Sequence, residues 1–277
     1  LITINGISTN TTGGHGVGLL QAAQVTSLNG DIALTGLSSG RGGVSVVSSA
    51  DVTSTGSATI TIDGTVNNAL GQDGVFLDGT GTVVTSVAGN ILITGSTIAA
   101  GPADQGVEIQ NGAVVSSTGT ALVTIEGTSS DASGGHGVEI ETAGTQVASL
   151  NGDITITGTS TNRNGIFLTD SATIDATGSA NIAMTGTAGG LLATVQIDAP
   201  INSNTGTVTI TSLNGASTTD DIAFSANGNI TSTSGVITIN ADNAGNTADV
   251  TMADGAVINA GSGTIDIDAD VDVTLGS

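Results

Sequence analysis

Ten times along this 277-residue chain, two apolar residues flank a single residue and run into a Gly or polar turn. The pairs are Ile2/Ile4, Ile32/Leu34, Ile60/Ile62, Ile91/Ile93, Val123/Ile125, Ile154/Ile156, Ile182/Met184, Val208/Ile210, Ile237/Ile239 and Ile265/Ile267. The nine intervals from Ile4 to Ile267 average about 29 residues, and Thr is the middle residue in six of the ten pairs. Alternation with period two gives a strand one apolar face, here repeated at a fixed distance.

Two further elements keep the same period. Gly-Val opens a second strand at Gly16-Val17, Gly43-Val44, Gly74-Val75, Gly106-Val107 and Gly137-Val138, with Gly165-Ile166 as a sixth copy. A third segment closes on Gly30, Gly56, Gly89, Gly119, Gly152, Gly178, Gly206, Gly235 and Gly263. A unit of three short strands cannot bury its apolar face alone, so successive units must stack, each strand pairing in parallel with its counterpart one repeat on. The expected fold is all-β: a right-handed parallel β-helix of about ten coils of ~29 residues, with three short strands per coil. At an inter-strand spacing of ~4.8 Å the rod is roughly 48 Å long.

The composition fits a narrow aliphatic interior, since the aromatics are only Phe76, Phe167 and Phe224, with no Trp or Tyr. The 43 Gly are read as positive-φ corners, and Pro102 and Pro200 as corner residues.

A longer repeat overlies the short one. GGHGVGLLQAAQVTSLNGDIALTG at 13–36 matches GGHGVEIETAGTQVASLNGDITITG at 134–158, and Arg41 and Arg163 fall at the matching place in each copy. About 13–66 therefore resembles 134–188, a duplicated four-coil cassette. The expected organisation is one β-helix over 1–277, with regular coils over 1–189 and divergent, Asn/Asp-rich coils of the same solenoid over 190–277. Because Leu1 lies inside a ladder strand, the chain reads as a processed subunit or a piece of something longer.

A net charge of −22, with Arg41 and Arg163 the only cationic residues besides two His, leaves no footprint for nucleic acid or anionic lipid. No apolar run approaches the roughly 20 residues of a membrane span, and the lack of Cys removes disulfides and thiolate metal sites.

Candidate chemistry lies in the acids. Glu108 and Glu139 occupy the same outward position in consecutive coils, with Glu141 two residues on, so the three can form an acid–base pair, hold a cation such as Ca2+, or simply face solvent. The solvated face is the expectation, because catalysis wants a cleft, a cation and aromatic platforms, none of which is read near them. Asp266, Asp268, Asp270 and Asp272 are expected on one side of a C-terminal strand, resisting edge pairing or binding a divalent ion. His15 and His136, four coils apart, read as corner residues. Strand parity sends Phe76 and Phe167 outward, under a loop or against a neighbouring molecule. Ile2, Ile4, Val271 and Val273 are expected at ladder ends open to head-to-tail stacking.

The x-I-T-I-T-G strands and the S-L-N-G-D-I and T-G-S-A-N-I turns, in a chain without Cys or Lys, resemble the repeats of large bacterial secreted β-helix proteins, the filamentous haemagglutinin-like and autotransporter-type adhesins. The resemblance implies export to the cell surface and adhesive or matrix roles, and no catalytic residues. The expected function is a non-enzymatic extracellular rod in a filament, fibre or adhesin stalk, self-associating head-to-tail and laterally. The alternatives are a ligand-binding segment of a giant adhesin that meets a cell surface or glycan and, third, a polysaccharide lyase or hydrolase.

Overall fold

The computed structural model describes residues 1–67, 73–98, 104–130, 134–190, 192–213, 221–241 and 248–276, and no helix occurs among them. Three parallel sheets wrap the chain into a β-solenoid. The first has ten strands, from Ile2–Ser8 at one edge to Ile265–Asp268 at the other. The second has ten, from Val17–Leu19 to Val273–Thr274, and the third nine, from Gln24–Ser27 to Ile258–Asn259. Each strand pairs with its counterpart one coil later, as Ile91 and Ile93 pair with Val123 and Ile125. Nine rises of ~4.8 Å separate the outermost strands of a ten-stranded sheet by about 43 Å.

The core is the column the periodicity predicts. Every ladder position from Ile32 to Ile239 has 0% exposure, whereas Ile2, Ile4 and Ile267 at the two ends are half-buried and Ile265 is exposed. Phe224 is the one Phe turned inward, packed in register on Ile197. The second sheet continues past residue 190 although its Gly-Val signature is lost. Thr194, Asp221, Asp249 and Asp272 precede the inward Val195, Ile222, Val250 and Val273 there.

Most repeat glycines do not serve as positive-φ corners. At the turn between the second and third sheets, Gly79, Gly112 and Gly144 do have positive φ, but Ser48, Ser49, Asp170 and Ser171 take the same conformation without being glycine. Gly6, Gly36, Gly64, Gly95, Gly127 and Gly158 instead stack in register along the first sheet. A Cβ on any of them would overlap the carbonyl oxygen of Gly16, Gly43, Gly74, Gly106, Gly137 or Gly165, the glycines that open the second-sheet strands. The two glycine columns form a seam where two sheets meet backbone to backbone.

Polar side chains repeat with the coil as well. Ahead of first-sheet strands, Asp31, Asn90, Asp153 and Asn181 each accept the backbone N–H of the matching residue one coil on, at 2.8–3.1 Å. This ladder explains the recurrent Asn/Asp-Ile junctions. Pro200 lies in the corner between Val195–Ile197 and Ile201–Ser203, and Pro102 is outside the described residues.

Gly95→Ala should lower the unfolding free energy by about 1–3 kcal/mol or more, because the methyl is forced into the seam. Gly13→Ala, with nothing within 4 Å of the added carbon, should change it by less than about 0.5 kcal/mol. Urea titration of the two variants measures the contrast.

Candidate functional site

In the second sheet, the residue after each inward Val or Ile faces outward. Read along the register, this row is Ser45, Phe76, Glu108, Glu139, Phe167 and Gln196. Two carboxylates therefore sit on adjacent rungs, ~4.8 Å apart at the backbone, with a phenyl ring on the rung to either side.

A second row runs beside it at the corner that leads into the sheet. Gly42, Asp73, Gln105, His136 and Asn164 follow one another here, the chain after each donating a backbone N–H to the carbonyl of the next. The side chains of Asp73, Gln105 and His136 reach diagonally to the outward row one coil on, whereas Asn164 Nδ2 donates to the Ala193 carbonyl at 2.6 Å. Glu108 hydrogen-bonds the Asp73 carboxylate. Gln105 Nε2 donates to Glu139 Oε2 at 2.6 Å, while Gln105 N donates to Asp73 Oδ1 at 2.9 Å. His136 packs on Phe167 with ring centroids 4.8 Å apart and planes tilted by 33°. His15 follows the same diagonal, with Nδ1 2.7 Å from Ser45 Oγ. One geometric rule thus joins Asp73 to Glu108, Gln105 to Glu139 and each His to its partner.

The acids are buried, which corrects the expected solvated face: Asp73 is 6% and Glu139 8% exposed, and Glu108 is half-buried. Burial is the main cause pushing the Glu139 carboxyl up to about 8, with the charges of Glu108 and Glu141 adding to it. Asp73 and Glu108 are both raised, by burial first. Two carboxyl groups in hydrogen-bond contact need a proton between them, so the Asp73–Glu108 pair holds on to one that a solvated carboxyl would lose. Glu141 is raised by burial and then by Asp170.

The expected lack of rings and a cation near these acids is overturned too. Phe76 and Phe167, both half-buried, bracket the Glu pair on one row, and the exposed Arg163 lowers Glu139 as the last of its influences. Arg163 Nη1 also lies 3.4 Å from His136 Nε2. Burial first, then this guanidinium, pull the His136 imidazole down to about 3, so it meets the cation as a neutral acceptor. His15 is lowered by burial and by Arg41 in the same order. The two copies of GGHGV differ in what the next coil offers the imidazole, Ser45 for the half-buried His15 and Phe167 for the buried His136.

The Ser45–His15 pair has the spacing of a nucleophile and its base, but Ser45 is at 0% exposure and no substrate reaches it. As for the cation reading of Glu108, Glu139 and Glu141, no group of three or more His, Cys, Asp or Glu among the described residues is arranged to hold a metal.

The C-terminal acids do not share one strand. Asp266 and Asp268 lie exposed in Ile265–Asp268, the chain bends through Asp270 and Val271, and Asp272 precedes Val273–Thr274 in the second sheet. The bend carries the chain from one sheet to the next, so the four carboxylates are divided between two faces. Val271 is accordingly no ladder residue, being 55% exposed in the bend, whereas Val273 pairs with Val250. Met252, Ile258, Ile265, Ile267 and Leu275 line a cavity of about 350 Å³ at this end.

Comparison with known protein families, with curated proteins and with solved structures finds no match to this chain, so its own residues carry the functional argument. Among the described residues no helix is long and apolar enough to cross a membrane.

A neutral, shielded His136 should show no imidazole titration between about pH 5 and about pH 8 in an NMR pH series, although an ordinary imidazole titrates near 6.5. Its depressed value also means that its share of stability is present above about 6.5 and is lost as pH falls toward about 3. Arg163→Ala should move the His136 midpoint upward.

Proposed function

We propose that this chain is a non-enzymatic structural rod working outside the cell, as part of a surface filament, fibre or adhesin stalk. The observation that carries this reading is the continuity of the ladders: ten strands in each of two sheets share one register and one aliphatic core. Such a body resists bending because deformation must break rungs of hydrogen bonds together. Ile2 and Ile4 at one edge, and Ile265 and Val273 at the other, are apolar and incompletely covered. Further coils, of this polypeptide or of a second copy stacked head to tail, would cover them and extend the rod. The charge of −22 opposes lateral packing unless cations such as Ca2+ screen it, and speaks against a nucleic-acid partner.

Full burial of Ser45 beside His15 supports a non-enzymatic role, since a nucleophile has to meet its substrate. The row Phe76–Glu108–Glu139–Phe167 favours a second reading, an adhesin segment in which this strip contributes to a contact with a cell-surface or glycan ligand.

Electron microscopy of the purified chain at increasing concentration tests the first reading. Particles lengthening in steps of about 48 Å, ten rises of the ladder, at constant width are expected. Discrete, unassociated particles at every concentration, with and without calcium, would count against it.

A further inference from the structure

We propose that Asp73, Glu108 and Glu139 form a proton-held clasp across successive coils, closed while the cluster retains its protons and loosened when alkaline pH removes them. This goes beyond the rod reading and does not depend on assembly.

The clasp follows from register. Val107 pairs with Val138 and Ile109 with Ile140, so Glu108 and Glu139 cannot separate without breaking a rung on either side. Asp73 is held as firmly, because its backbone carbonyl accepts Gly43 N–H and its carboxylate accepts Gln105 N–H. The Asp73–Glu108 contact joins two carboxyl groups and exists only with a proton in it. Gln105 bridges the clasp, its backbone on Asp73 and its side chain on Glu139.

The surroundings offer the ionised cluster little help. Asp104 is buried alongside and raises Asp73, Asp78 raises Glu108, and Glu141 raises both glutamates. Asp170 adds its charge to Glu141. On the other side, His136 is neutral, and Arg163 is exposed and turned toward it. Losing the protons therefore places like charges on neighbouring, partly desolvated rungs, which is destabilising.

The composition isolates this event. With no Lys, Cys or Tyr, nothing with an ordinary value titrates between about pH 7 and about pH 10 except a terminal amine. The sign is fixed by linkage: groups raised in the folded state bind more protons than in the unfolded chain. Their stabilisation is full below about pH 4 and is lost as pH rises through the folded values, about 8 for Glu139.

The test is hydrogen exchange on the intact chain at about pH 6 and about pH 11, the higher value lying above Glu108, which is pushed up to about 10, and Glu139, at about 8, with rates corrected for intrinsic exchange. Opening of Val75–Asp78, Val107–Gln110 and Val138–Ile140 should rise at least about tenfold at the higher pH, while Val208–Ser212 and Ile237–Asn240 change little. Asp73→Asn with Glu108→Gln and Glu139→Gln, in which no member of the cluster can ionise, should abolish the difference. Infrared spectra keep the proposal falsifiable should that variant fail to fold: a protonated-carboxyl band must be present near pH 7 in the native protein and disappear by about pH 12, above the Glu108 value of about 10. Equal opening at both pH values, or no such band, overturns the clasp.

Discussion

Every coil of this protein must repeat the backbone of the coil beneath it at the spacing of a hydrogen-bonded parallel ladder. Residues near 30 apart in sequence are thereby fixed as nearest neighbours, and the choice at each position becomes a choice for a whole column. The aliphatic core, the glycine seam and the Asn/Asp turn ladder are columns of this kind. Identical residues suit a column when they pack or bond to themselves, as Ile, Gly and Asn do. They do not suit it when they repel.

That conflict sets the character of the acidic site. The ladder places Glu108 beside Glu139 with no freedom to part, and the diagonal from the corner row brings Asp73 onto Glu108. A globular protein would more often separate such groups or place a cation between them. With only Arg41 and Arg163 in the chain, the protons themselves are what this solenoid has to moderate the repulsion. The Gln105 amide accommodates Glu139, and Phe76 and Phe167 flank the glutamate pair on the rungs to either side.

Much of this was legible. Alternating Ile and Thr at a 29-residue period dictated three parallel sheets, and strand parity correctly turned Phe76 and Phe167 outward. The site itself was written in the chain as Gly-Val-Phe, Gly-Val-Glu, Gly-Val-Glu and Gly-Ile-Phe at Gly74, Gly106, Gly137 and Gly165. Rings and acids become one site only as consecutive rungs, a neighbourhood that residues about 30 apart acquire through the ladder. The corner residues Asp73 and Gln105 carried no such signal, since nothing local says that a side chain at the coil corner reaches the next coil. Likewise, glycine content pointed to corners, but only the approach of two backbones at the seam explains Gly95 or Gly127.

Sequence alone determined the coil, its length, the inward column and the outward rows, because period-two alternation within a fixed longer period admits one way to bury apolar surface. Tertiary structure decided what the polar residues became. Burial depends on what the neighbouring coil and corner place over a side chain, so the same outward position is Ser45 against an imidazole, Glu108 against a carboxylate and Phe167 against another imidazole. The Asp run from Asp266 to Asp272 makes the same point: a single alternating strand by pattern, it is split between two sheets by the bend needed to complete the coil.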